Sequence, residues 1–435
     1  MLKEIIVSSA GNRMRVAVLE DHVPVEVYFE PPGAELVGSI YKGRVENVLP
    51  GIEAAFVDIG LERNAFLYVK DARVLAGKRS GRLQIQQILK PGQEIIVQVV
   101  KSHFGAKGAR VTAHVTLPGR YLVLATSVQH IGVSRRIGSP AERERLRQIA
   151  TALRPTGMGL IVRTAAEGVG EEELRHDLEM LVKRWEDICV KAREPAPRLL
   201  YRDIDLLPRI LRDFFTGDVN RLVVDSEALR QEVLSIIADL GPELKDRVFL
   251  ETGPDLMAAY GVEQEVERAL KRRVWLKSGG YLVFDRTEAF TVIDVNTGKY
   301  VGSASLEETV VKTNLEAARE IARQLRLRNI GGIVIIDFID MVEERHRQQV
   351  LSVLEEALRR DRVRSHLLGI TKLGLVELTR KKSRPSLAEM LLQPCPHCGG
   401  TGYVRREVGG ELSEETGEDL PEDANNSLQR QTGEL

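Results

Sequence analysis

No stretch of this chain is apolar for long enough to span a bilayer, and its opening, MLKEIIVSSAG, passes straight into a strand pattern with no signal-peptide layout. Neither a membrane span nor a secretory leader is expected. Cysteine is sparse: the chain has 3, two of them in Cys395-Pro-His-Cys398. So few exclude a disulfide framework and point to a reducing, cytoplasmic compartment. Net charge is small, −1, but unevenly spread. Residues 407–435 hold nine acidic residues against one basic, Arg430; the remainder holds 61 basic against 54 acidic, a net of +7. A mildly basic body suits a polyanionic ligand, and equally an ordinary solvated surface. The acidic, aromatic-poor tail reads as disordered.

What is present supports real cores: 435 residues, 43% hydrophobic, enough for two to four domains. The chain is organised around residues 290–341. Two short β-branched runs, Phe290–Ile293 and Ile333–Ile336, each end in a carboxylate, Asp294 and Asp337. Without polar alternation they read as strands buried on both faces. Between them Val310, Val311, Leu315, Ala318, Ile321, Ala322 and Leu325 fall at helical spacing, with Ser305 and Glu308 as a capping box and Asn329-Ile-Gly331-Gly332 as a stop. Strand, helix and strand make a crossover with parallel strands, so both aspartates sit at one sheet edge, where ligands of open α/β sheets bind. Such a pair repels unless a cation joins it, and Mg²⁺ suits two carboxylates, retained waters and phosphate oxygens. Asn296 is placed to orient a water or a phosphate. Asp294-Val-Asn-Thr-Gly resembles the start of a calcium loop, but Lys299 stands where that loop requires glycine. The competing account is that each aspartate merely caps a turn.

Elsewhere, residues 3–30 alternate as an antiparallel meander, Glu4–Ser8, Met14–Leu19 and Val25–Phe29. Residues 38–117 read as a small barrel, with Tyr41, Phe56, Phe66 and Tyr68 interleaved with Lys42, Arg44, Arg63, Lys70, Lys101, Lys107 and Arg110. Aromatics in a basic groove stack on single-stranded bases; packed inside, they are simply core. Arg163-Thr164 ends an apolar run and offers a guanidinium fork and a hydroxyl to a phosphate, or forms a surface ion pair. Helices are expected at Glu171–Ala192, Asp205–Phe215 (capped by Asp205), Glu227–Leu240, Tyr260–Lys271 and Glu343–Arg360, with Cys189 as a small core residue. A hairpin spans Val274–Phe284, and a further strand Leu373–Thr379. Arg345, Arg347, Arg359, Arg360, Arg362 and Arg364 form a basic cluster beside the aspartates, as a phosphodiester backbone needs, unless it is a solvated face. Cys395 and Cys398, followed by glycines, form half of a structural zinc set. With no second pair in the chain, a second copy is the simplest source of the rest, a redox dithiol being the competitor.

The stretches IYKGRVENVLPGIEAAFVDIG, GLIVRTA, IDVNTG, NLEAAREIARQLRLRNIGGIVIIDFIDM and CPHCGGTG, in this order, resemble the ribonuclease E/G family over roughly residues 1–405. The short run after CPHCGGTG is similar to the shorter, ribonuclease G branch. The resemblance implies an α/β multidomain fold: a ribonuclease H-like subdomain (1–37 and 216–278), an inserted S1-type oligonucleotide-binding (OB) barrel (38–118), a 5′-sensor region (119–215), a DNase I-like catalytic subdomain (279–393), a zinc link (394–406) and the disordered tail (407–435). It implies Mg²⁺ on Asp294 and Asp337 with Asn296 beside them, and RNA contacts at Phe56, Phe66, Lys107 and Arg364. A 5′-monophosphate pocket of Arg163, Thr164, Gly132 and Val133 and a Zn²⁺-linked homodimer through Cys395 and Cys398 are also implied. The expected activity is a Mg²⁺-dependent endoribonuclease on single-stranded, AU-rich, 5′-monophosphorylated RNA, acting on rRNA precursors and mRNA and leaving a 5′-phosphate. A non-catalytic RNA-binding or ribosome-assembly factor, and a DNA nuclease, are the alternatives.

Overall fold

Nearly every β-branched run of the chain finds its partners in one of four sheets among the residues described. The computed structural model describes residues 1–9, 13–30, 36–77, 83–101, 108–202, 206–253, 255–298, 306–382, 384–400 and 402. They divide into two units, Met1–Met390 and Leu391–Leu435.

In the first sheet Lys3–Ser8, Arg15–Glu20 and Val23–Phe29 pair antiparallel, as their alternation predicts. Arg221–Val224 and then Val248–Leu250 extend that meander in parallel from its other edge. Period-2 alternation sends Ile5 and Val7 to one core with the Leu206–Phe214 and Glu227–Leu240 helices. Ile6, Ala17 and Leu19 go to a second core with Leu256, Val262 and Val266. Asp205, the expected cap of the Leu206–Phe214 helix, lies outside the described residues.

The barrel closes because Ile40–Leu49 is long enough to pair twice, with Ala54–Asp58 on one side and Glu94–Lys101 on the other. Gly43 sits at the tight point of that strand: a Cβ there would lie 2.5 Å from Val57 Cγ1. In the third sheet, Thr116–Pro118, Leu122–Ala125, Gly159–Val162 and Ile131–Val133 pack on the helices Pro140–Leu153 and Glu171–Lys191. Asp177 on the second of these helices accepts the backbone amides of Arg120, Tyr121 and Leu122 at 2.9–3.0 Å and so pins the turn between two strands. The same helix corrects one expectation. Its buried stripe runs through Leu174, Leu178, Leu181 and Ile188, and Cys189, one residue or 100° further round, is exposed.

The fourth sheet carries the two aspartates. Its order is Arg273–Trp275, Tyr281–Arg286, Phe290–Asn296, Gly332–Asp337, Val376–Arg380, Ser365–Ile370. Phe290–Asn296 and Gly332–Asp337 are parallel and joined through the helix Leu306–Leu327, whose Val310, Ala318, Ile321, Ala322 and Leu325 are buried as their spacing predicts. Ser305 lies outside the described residues. Asn329, at φ 48°, takes the left-handed conformation that ends the helix. Two expectations change. The apolar strands are not buried on both faces: Leu306–Leu327 and Glu344–Arg359 pack on one face, while Phe290 and Ile333 on the other stay 44% and 43% exposed. The expected strand at Leu373–Thr379 starts later, as Val376–Arg380, because Leu373-Gly374 is the turn of a hairpin that pairs it with Ser365–Ile370.

Leu306–Leu327 also leaves its own sheet. Its last turns dock on the N-terminal meander, where Arg326 meets Glu20 at 2.9 Å and Glu26 at 3.0 Å, and Arg323 reaches Pro24 O at 2.9 Å. The helix that joins the two aspartate strands is thereby tied to residues about three hundred positions away.

Candidate active site

Asp294 and Asp337 are direct register partners on neighbouring parallel strands, so their backbones lie about 4.8 Å apart. Ile293, Val295 and Ile336 point into the core, and alternation therefore turns both aspartates to the open face, where both are exposed. Asn296, two residues on and on the same face, donates its amide N–H to Asp294 Oδ2 at 2.7 Å. Partial burial, Asp294 and then Asp340 push the Asp337 carboxyl above its ordinary range. Neither carboxylate meets a cation in an ion pair among the described residues, and the two like charges stand side by side. Among the described residues no third His, Cys, Asp or Glu joins them. Two hard oxygen donors on an open face fit an ion that keeps several of its waters, which is the habit of Mg²⁺.

The loop after Asp337 is held by three side chains: Asn314 and Glu307, which sequence reasoning missed, and Arg347, which it placed in the basic cluster. Asn314, fully buried, accepts from Ile339 N at 3.1 Å and donates to Ile339 O at 2.8 Å. Glu307 accepts from Val342 N at 3.2 Å and meets His346 Nδ1 at 2.8 Å; that bond, with two backbone amides, holds its carboxyl low. Arg347 donates twice to Met341 O, at 2.8 and 3.1 Å. The one available signal was Asn314 itself, a polar residue inside the helix's apolar stripe between Val310 and Ala317.

On the barrel, Phe56 and Phe66 are cross-strand partners with ring centroids 6.0 Å apart, edge to face, and both are half-exposed. Tyr41 is core. The interleaved cations are less available than expected. Lys42 pairs with Glu94 at 2.6 Å, Arg44 donates to Ala196 O at 2.8 Å, and Arg110 pairs with Asp71 at 2.8 Å. The Lys42 hydrogen bond and the Ala196 amide bring the Glu94 carboxyl down to about 2. These cations staple the barrel to residues 194–196 and to its own helix. Lys107 lies outside the described residues.

Arg163 and Thr164 follow the strand Gly159–Val162. Arg163 donates to Gly119 O and meets Asp213 at 2.6 Å. Burial alone would raise the Asp213 carboxyl; Arg212 and Arg163 outweigh it and hold it below the usual range. Thr164 Oγ1 lies 2.8 Å from Ser134 Oγ. Gly132 and Val133 stand in register with Ile161 and Val162, which brings Val133 next to the Arg163 end of the neighbouring strand. Asp213 and Gly119 carry no sequence signal, being fifty and forty-four positions from Arg163.

Residues 361–364 connect this region to the sheet that carries the two aspartates. Arg136 donates to Asp361 O, Arg362 donates to Asp213 O and stacks on Phe214 at 4.3 Å, and the buried Asp361–Arg380 pair closes at 2.6 Å. Arg364 is exposed at the head of the strand Ser365–Ile370. The expected basic cluster therefore divides: Arg345 and Arg359 make surface pairs with Glu343 and Glu355, and Arg347 and Arg362 are structural. In the second unit, Cys395 and Cys398 lie in a glycine-rich turn, with Gly399, Gly400 and Gly402 at positive φ and Gly402 N donating to Cys398 Sγ at 3.4 Å.

Residues 116–383 match the model of the Ribonuclease E/G family. The chain is 44% identical over 415 residues to Ribonuclease G of Escherichia coli (strain K12), covering 93% of this chain and 85% of that protein. To Ribonuclease G of Haemophilus influenzae it is 44% identical over 412 residues, 92% of this chain and 84% of that one. To Ribonuclease E of Nostoc sp. it is 45% identical over 409 residues, 91% of this chain and 59% of that longer protein.

Proposed function

The chain belongs to the ribonuclease E/G family and is an endoribonuclease, and we propose that Asp294 and Asp337 hold the Mg²⁺ on which its hydrolysis of RNA depends. The observation that carries this reading is the register of the two aspartates, side by side on the open face of one sheet. Asp294 and Asp337 would hold the ion, which when bound would supply charge neutralisation at the phosphodiester and lower the pKa of a water for attack. The chain's own residues do the positioning. Asn296 fixes the orientation of the Asp294 carboxylate, and Asn314, Glu307 and Arg347 fix the loop that follows Asp337. Phe56 and Phe66 offer stacking faces to unpaired bases. The substrate is single-stranded, AU-rich RNA, with 5′-phosphate and 3′-hydroxyl products, and the setting is rRNA processing and mRNA decay. A cytoplasmic location goes with this reading, given the sparse cysteine; among the described residues no helix is long and apolar enough to cross a membrane. Incubation of the purified protein with a 5′-monophosphorylated AU-rich RNA should give cleavage with Mg²⁺ and none with chelator. Intact RNA in both arms favours the binding-factor reading, and equal cutting of the matched DNA favours a general nuclease.

Arg163 and Thr164 form the pocket for a 5′-monophosphate. Its occupant must share Arg163 with Asp213, so the preference rests on a charge-assisted bond worth about 1.5–3 kcal/mol, roughly ten- to a hundred-fold. Arg163→Ala should bring the ratio of rates on 5′-monophosphate and 5′-hydroxyl RNA close to one. A wild-type protein that already cuts both equally removes the pocket.

Cys395 and Cys398 supply half of a four-thiolate Zn²⁺ site, and a second copy supplies the rest. The Gly402 amide aimed at Cys398 Sγ supports this, since such outer hydrogen bonds stabilise a metal-bound thiolate. Cys395→Ser, or a zinc chelator, should convert a dimer to a monomer in light scattering. A dimer that survives both has another origin.

A further inference from the structure

The open face of the catalytic sheet carries more than the two aspartates. Trp275, Tyr281 and Asn296 are successive register partners across three strands, and one step back Arg273, Val283, Asp294 and Asp337 form the next row. Val274, Leu276 and Leu282 go to the core, so alternation places Arg273, Trp275 and Tyr281 on the aspartate face. Trp275 is 48% exposed although it is the largest side chain of its strand. Its ring meets Tyr281 edge to face, centroids 5.2 Å apart. Arg273 lies over the Tyr281 ring at 4.4 Å and 5.9 Å from the Trp275 centroid.

The trio adjoins the catalytic turn. A Cβ on Gly298, two residues after Asn296, would lie 3.3 Å from Tyr281 Cδ1, so the tyrosine ring packs against that turn. Two strand spacings separate Trp275 from Asn296, about 10 Å. That is the scale of one nucleotide beyond a phosphodiester held at Asp294 and Asp337.

We propose that Trp275, steadied by Tyr281 and Arg273, is a stacking platform for an unpaired nucleobase beside the scissile phosphodiester. The proposal rests on the Mg²⁺-site reading only for what lies next to the platform. An indole face binds any base, because every base has a π-face, and Arg273 adds the positive charge that the adjoining phosphate requires. A paired base inside a helix presents no such face, so the platform favours single strands on the catalytic sheet itself, independently of the barrel. A surface docking site for protein would need a larger apolar area than one indole. The aspartates, the cation and the ring together match a flexible polyanion with aromatic bases.

The test is binding of a labelled single-stranded RNA in chelator, where cleavage is not needed. Trp275→Ala should weaken binding by about five-fold or more, and Trp275→Phe should restore most of it. A single abasic residue walked along the RNA should abolish the difference between wild type and Trp275→Ala at one position and leave it at the others. Duplex RNA should bind both proteins alike. Equal binding of single-stranded RNA by folded Trp275→Ala and wild type, or a penalty independent of the abasic position, overturns the platform. The Mg²⁺-site reading fails differently, by cleavage that persists in Asp294→Asn, and that result leaves the binding comparison intact.

Discussion

Asp294→Asn and Asp337→Asn should each lower Mg²⁺-dependent cleavage by about a thousand-fold, the loss of several kcal/mol of metal-assisted stabilisation at roughly tenfold per 1.4 kcal/mol. The fold should not suffer with it. Asp337 is destabilised in its charged form by burial and by Asp294 and Asp340, so replacing it with an uncharged amide relieves repulsion. A melting temperature equal to or above wild type, with cleavage gone and RNA still bound, is the expected combination. It separates a metal-holding pair from two turn caps, whose loss would lower stability and spare activity. Well-folded variants that cut at the wild-type rate would refute the assignment.

Arg326→Met should cost about 3–5 kcal/mol of stability, the usual consequence of stranding a buried charge by removing its partner. Arg326 lies between Glu20 and Glu26 with its side chain 7% exposed, and Tyr28 donates to the far oxygen of Glu26 at 2.5 Å. Burial raises the Glu26 carboxyl, but Arg326, Tyr28 and Arg384 outweigh burial and hold it below its ordinary value. A carboxyl depressed on folding contributes stability that is present above its unfolded pKa and lost as pH falls through the folded one. The defect of Arg326→Met should therefore be greatest near neutral pH and shrink in acid, where a protonated Glu26 no longer needs its partner. Arg326→Met with Glu26→Gln should recover much of the loss. Denaturant melts of the three proteins at neutral and acid pH decide it; a defect that is flat across pH, or absent, places the anchor elsewhere. Arg326 ends the helix that connects the two aspartate strands, so the same variant examines how far the site depends on the N-terminal meander.

What could be read from the chain in one dimension is local. The β-branched runs, the spacing of Val310, Ala318, Ile321 and Leu325, and the left-handed stop at Asn329 are short-range consequences of backbone and side-chain geometry. They suffice to place Asp294 and Asp337 on parallel strands at one sheet edge. The turn signals of residues 38–117 likewise foretold a small barrel. Periodicity, however, reports that a stripe is buried and says nothing of what buries it. Phe290 and Ile333 looked like core from their neighbours, yet both crossover helices pack on the opposite face. Cys189 was expected as a small core residue of its helix, but the stripe that is buried runs through Ile188. Asn314 with Ile339, Asp213 with Arg163, and Arg326 with Glu26 join positions 25, 50 and 300 residues apart. The sequence by itself thus determined the elements and the chemistry at their ends. Only the tertiary structure decided which face stays open and which charges are spoken for, because those depend on contacts whose partners no local pattern encodes.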